Sequence, residues 1–105
     1  MKLETMLQLQ KNLQFKLIKT DPKLGIPKEH ILALIAETLE VLNELNWKPW
    51  KKPVPINRER LIFELVDVLM FYCNLLNSLE VTADEIELAY YDKLDIVKKR
   101  EKEGY

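Results

Sequence analysis

At 105 residues the chain has room for one domain, and its 48% of apolar residues can supply a small core that self-association would complete. Lys+Arg 16 against Asp+Glu 17 leaves a formal charge of −1, so bulk electrostatics give no reason to expect nucleic acid as a partner. Two glycines and five prolines exclude low-complexity tracts, and the single cysteine, Cys73, excludes an internal disulfide and suits a reducing compartment. The segment MKLETMLQLQ has no continuous apolar run of signal-peptide type. No stretch approaches the roughly 20 apolar residues of a membrane span, so no membrane contact and a cytoplasmic setting are expected.

In chain order, Leu3, Met6, Leu7, Leu9, Leu13, Leu17 and Ile18 form a broad stripe that predicts a first helix from about Leu3 to Lys19. Gln8, Gln10, Asn12 and Gln14 lie between them, where amides are either solvated or turned inward. Thr20 to Pro27 carries two prolines and a glycine and reads as a loop, with Pro27 suited to open the next helix. The second helix runs from about Pro27 to Asn46, and its apolar residues cover enough of the circumference to suggest burial against more than one neighbour.

Pro49, Pro53 and Pro55 then forbid regular structure in NWKPWKKPVPIN. The loop either presents Trp47, Lys48, Trp50, Lys51 and Lys52 to a ligand or serves as a connector whose tryptophans cover a bundle end. Asn57 is a suitable N-cap for a third helix from about Arg58 to Ser78. Cys73 lies in its apolar run, as a buried structural thiol would. Thr82 and Glu85 make a capping box, and Val81 with Ile86 a hydrophobic staple, for a fourth helix that ends near Gly104. Lys93 and Arg100, seven apart, share a side of it with Val97 between them. The terminal KKREKE alternates sign and reads as a solvated helix end rather than a nucleic-acid contact. The fold class is all-α, with four helices.

Two acidic steps stand out. Glu37-x-x-Glu40 and Glu64-x-x-Asp67 each place two carboxylates on one helical face amid aliphatic residues. In the third helix Glu64, Asp67, Phe71 and Asn74 share that face. If the second and third helices pack antiparallel the four carboxylates converge. Each pair about 4 Å apart then repels by ~4 kcal/mol at an effective dielectric near 20. They are then paired with lysine and arginine, protonated, or held by a cation. Oxygen ligands without histidine or thiolate suit Mg²⁺ or Mn²⁺, and His30, outside both steps, disfavours the Glu-x-x-His pattern of di-iron bundles. Lys48, Lys51, Lys93 and Arg100 could meet phosphates, and a carboxylate not fully used in coordination could take a proton from an attacking water. The inventory fits metal-assisted hydrolysis of a phosphoanhydride.

The pattern Glu37-x-x-Glu40, 23 residues, Glu64-x-x-Asp67 resembles the all-α nucleoside triphosphate pyrophosphatases, which include MazG-type enzymes and dimeric dUTPases. The closer likeness is to the dimeric dUTPases. E-T-L-E-V-L-N-E-L-N-W-K-P-W-K resembles their first metal helix and Trp-Lys loop, and E-L-V-D-V-L-M-F their second metal helix. M-L-Q-L-Q-K-N-L-Q is similar to their base-contacting first helix, and the ending Y-Y-D-K-L-D-I-V-K-K-R-E-K-E-G-Y to their final one.

The resemblance implies a MazG/dimeric-dUTPase-like bundle whose core and pocket are completed by a homo-oligomer, a dimer or tetramer. It implies Mg²⁺ ligation by Glu37, Glu40, Glu64 and Asp67, with Glu40 also orienting the attacking water. Lys48, Lys51, Lys93 and Arg100 would hold phosphates, Trp47 or Trp50 would wall the pocket, and Gln10, Gln14 and Asn74 would lie on the substrate's side. Val97 stands where the family's tail usually has asparagine, and only Asn77 to Thr82 joins helices between which dimeric dUTPases usually carry more. The expected activity is cleavage of dUTP to dUMP and pyrophosphate. A MazG-like (d)NTP pyrophosphatase of other or broader preference, or a helical interaction module without catalysis, are the alternatives.

Overall fold

A computed structural model describes residues 1–104, and Tyr105 of the closing Gly-Tyr lies outside the described residues. The chain forms α1 (Leu3–Thr20), a 3-10 turn (Pro22–Gly25), α2 (Pro27–Asn43), α3 (Arg58–Ser78) and α4 (Ala83–Lys102). No strand occurs among the described residues, as expected of an all-α chain.

The helix starts follow from local chemistry. Pro27 opens α2, where its missing N–H has no helical partner to lose. The Asn57 side chain accepts the Arg60 N–H at 3.1 Å to begin α3. Before α4, Thr82 Oγ1 accepts the Glu85 N–H at 3.2 Å while Glu85 accepts the Thr82 N–H at 3.1 Å, which completes the capping box. Val81 and Ile86 both pack against the core beside it.

The end of α2 departs from expectation, at Asn43 rather than Asn46. Glu44 and Leu45 bond three residues back, to Val41 and Leu42, and tighten the last turn. Asn46 then takes a left-handed backbone with φ 52. Its side chain and that of Asn43 are engaged by the loop beyond.

Leu7 of α1, Cys73 and Leu76 of α3 and Ala83 of α4 form the buried apolar core, flanked by Leu3, Met6, Val81 and Ile86. Cys73 is fully enclosed, and burial pushes its thiol pKa up, so it is held neutral as a small apolar residue. The central element is α3, against which both α1 and α2 pack. It lies antiparallel to α2, since Arg60 near its start pairs with Glu44 at the end of α2 at 3.1 Å.

Along this seam the polar stripe faces inward. Asn74 is buried and Glu64 half-buried, whereas Phe63 is 66% and Leu65 49% exposed. The same inversion holds on α2, where Glu37 is half-buried but Leu32, Ile35 and Leu39 are each more than half exposed. Within one chain α2 packs against α3 and the 3-10 turn, more than one neighbour as its apolar circumference suggested, yet Leu32, Ile35 and Leu39 stay uncovered.

By length and composition α3 is long and apolar enough to cross a membrane, with a mean hydropathy of 1.4 over 18 residues. This corrects the expectation that no stretch is long and apolar enough for a membrane span. Glu64 and Asp67 interrupt the apolar run of α3, and both carboxylates belong to its seam with α2.

After α3 the chain reverses at Glu80, whose φ is 57, and the Val81 N–H reaches back to the Leu76 carbonyl at 2.9 Å. α4 then packs on α1 through its first turns and continues outward, leaving Leu88, Tyr90 and Tyr91 about two-thirds exposed.

Candidate active site

The antiparallel seam brings Glu37, Glu64 and Asp67 together, with one carboxylate oxygen of each within 4.8 Å of the others. The three come from both acidic steps, so the expected convergence of the two helices occurs. Burial, then Asp67, Glu64 and Glu40 in that order, hold the Glu37 carboxyl above its ordinary value of 4.5. No lysine or arginine relieves the repulsion: among the described residues the one ion pair is Arg60–Glu44. Three clustered hard oxygens with uncompensated charge are a donor set that fits a hard divalent cation. Glu40 stands apart. It is exposed, one turn further along α2, and touches the group only through its charge on Glu37.

Two turns away in the other direction lies an amide-lined cavity. Asn74 follows Asp67 by seven residues and His30 precedes Glu37 by seven, so both sit on the same faces as the carboxylates, ~10 Å along the seam. Gln10 donates from Nε2 to Asn74 Oδ1 at 3.0 Å, and both residues are buried. Gln14 also points inward, and its Oε1 is enclosed without a hydrogen-bond partner. Gln14, His30, Asn74 and Ser78 line a cavity of about 190 Å³ together with Phe15 and Ile18. At ~30 Å³ per water, that is room for a small ring rather than a whole nucleotide. Of the amides in α1, Gln8 bonds Asn12 on the exposed side, as solvated amides do. His30 and Ser78 were not among the substrate candidates. The heptad step from Glu37 back to His30 is the signal that could have found the first.

At the opposite end of the seam the Trp-Lys loop leaves α2. Trp47 donates its indole N–H to Asn43 Oδ1 at 3.2 Å, and Trp50 packs edge-on against it, with ring centroids 5.8 Å apart. Lys48 lies over the Trp47 ring at 5.6 Å. Lys48, Lys51 and Lys52 line one recess of about 290 Å³ with Asn43, Asn46 and Trp47. Asn43 is six residues from Glu37, ~9 Å along the helix. Trp50, 70% exposed, is outside the recess.

Lys93 and Arg100 are not brought to this seam. Both are exposed on the outer part of α4, which packs on α1, and neither lines the cavity or the recess.

A sequence profile described as dUTPase matches residues 2–80, three-quarters of the chain. The chain belongs to the dUTPase family. Members of this family are nucleotide hydrolases that generally use a divalent metal, and the acidic cluster lies within the matched span. The match takes in α1, α2 and α3, hence the cavity, the carboxylates and the Trp-Lys loop of this dUTPase-family chain, and stops at Glu80 before α4. No curated protein matches the chain.

Proposed function

We propose that the chain is a Mg²⁺-dependent nucleotide pyrophosphohydrolase that converts dUTP and water to dUMP and pyrophosphate. One observation carries the reading: a base-sized amide cavity, a carboxylate cluster and a lysine recess follow one another along a single α2–α3 seam, each about two turns from the next. That order and spacing match a nucleoside triphosphate laid lengthwise. Uracil is favoured by the cavity's hydrogen-bonding groups. Gln14 Oε1 is an acceptor in need of a donor. Asn74, whose Oδ1 is already taken by Gln10, keeps its N–H groups to give. An acceptor beside a donor complements the N3–H and carbonyl edge of uracil, whereas cytosine offers the reverse at these atoms.

Glu37, Glu64 and Asp67 would hold Mg²⁺, or Mn²⁺, with Glu40 one turn away from them on α2. When bound, the ion neutralises phosphate charge and makes an attacking water more acidic. Glu40, free of the close cluster, takes the proton from that water. Lys48 and Lys51 hold phosphate oxygens, and Trp47 or Trp50 walls the pocket. Lys93 and Arg100 add phosphate contacts from α4, supplied across a homo-oligomer. The uncovered apolar residues of α2, α3 and α4 favour such an assembly. With its carboxylates facing α2, α3 is read as a core helix of a cytoplasmic enzyme.

Pyrophosphate release across a panel of (d)NTPs tests the proposal. A kcat/KM for dUTP about tenfold or more above the others is expected. Comparable rates across the panel would point to the MazG-like enzyme, a reading favoured by the short α3–α4 connection. No turnover with Mg²⁺ or Mn²⁺ would overturn both and leave a helical interaction module.

A further inference from the structure

The loop that carries the tryptophans and lysines has no regular structure, yet a single side chain closes it. Asn46 sits in the left-handed backbone region, with φ 52, which asparagine tolerates better than most residues. Its carboxamide donates from Nδ2 to the Val54 carbonyl at 2.7 Å and accepts the Val54 N–H at Oδ1 at 3.0 Å, across eight positions. This is the two-point pairing that a neighbouring strand residue would make, supplied by a side chain. Val54 is prepared for it. Pro53 and Pro55 lack an N–H, so Val54 is the one backbone donor among the three, and Pro55 biases it to an extended backbone. Inside the loop so closed are the Trp47–Trp50 pair and the three lysines of the recess.

We propose that Asn46 is a positioning residue: its clamp on Val54 sets the Trp-Lys loop so that Lys48, Lys51 and Lys52 converge on phosphate. The residue acts through the loop, because its Oδ1 and an Nδ2 hydrogen are committed to Val54. The kinetic consequence rests on the proposed nucleotide hydrolysis, whereas the loop's order does not.

Two variants break the clamp from opposite sides. Asn46→Gly keeps the left-handed backbone at no steric cost and removes the side chain, and Val54→Pro keeps the extended backbone and removes the N–H. Each is compared with the parent by the exciton couplet of the two indoles in circular dichroism, by affinity for inorganic pyrophosphate, by KM and kcat, and by helix content. Both variants should lose the couplet and weaken pyrophosphate binding and raise KM about tenfold, with kcat changed less than about twofold and helix content intact. Asn46→Asp, which keeps only the acceptor, should fall between. An unchanged couplet and pyrophosphate affinity in both variants would overturn the proposal. So would loss of binding in step with loss of helix content, since Asn46 would then be a fold residue. If the parent turns over no nucleotide, the proposed function fails, while the couplet and pyrophosphate binding still decide the role of Asn46.

Discussion

Glu64 is half-buried beside Glu37 and Asp67, whereas Glu40 is exposed one turn away, so their substitutions should differ in kind. Glu64→Gln removes a repelling charge from the cluster. Metal-free stability should rise by ~0.5–1 kcal/mol, a small value because the group is partly solvated, and the rise in Tm on adding Mg²⁺ should be lost. The pH dependence has a definite sign. Because the pKa of Glu37 is raised in the fold, its contribution to metal-free stability is fully present below its ordinary 4.5 and is lost as pH rises through the raised value. Glu64→Gln should flatten that loss. Glu40→Ala should instead keep the Mg²⁺-induced shift and lower kcat by about 10²–10⁴-fold, the range for a positioned proton acceptor. Thermal unfolding with and without Mg²⁺, with turnover, checks both. Loss of the Mg²⁺ shift in Glu40→Ala would make it a fourth ligand, as the family resemblance implies.

Between elements, the α1–α3 contact decides what the amides do. An enclosed, unpartnered acceptor such as Gln14 Oε1 costs about 1–3 kcal/mol. Gln14→Leu should therefore leave Tm equal or higher while kcat/KM for dUTP falls by about tenfold or more. Selectivity over the cytosine nucleotide should collapse with it. Unaltered selectivity would mean that the base lies elsewhere. The inward turn of Gln10 and Gln14 was legible only through the family resemblance, because the apolar stripe of α1 is broad and an amide at its edge is equally compatible with water. The Trp-Lys loop was legible as irregular from Pro49, Pro53 and Pro55. The early end of α2 at Asn43 was not: the chain tightens at Glu44 and Leu45, and Asn46 then pairs with Val54 eight positions on.

Taken whole, the chain is more open than a compact globule of its length. Its radius of gyration is 17.2 Å, against ~13 Å for a compact chain of this length. Phe63, Ile35, Leu39, Leu88 and Tyr91 are all at least half exposed, and on the proposed homo-oligomer they would be covered. Light scattering after gel filtration should give two or four times the 12.5 kDa chain mass. A charge at the centre of an uncovered face, Phe63→Glu or Leu39→Lys, should lower it towards the single chain. A parent that stays monomeric at micromolar concentration would rule out the oligomer.

The helix starts, the four-helix content, the two acidic steps and the irregular lysine-bearing loop were determined by the sequence itself. Each depends on hydrogen bonds or steric rules that act within a few residues, as at Asn57, Thr82–Glu85 and the prolines. Only the tertiary structure decided that Glu37, Glu64 and Asp67 meet while Glu40 stands beside them, that Asn74 and Gln14 face a cavity, and that Lys93 and Arg100 are held away on α4. Those outcomes depend on the rotation and crossing of whole helices. Contacts between residues far apart in the chain set both, and no local pattern specifies them.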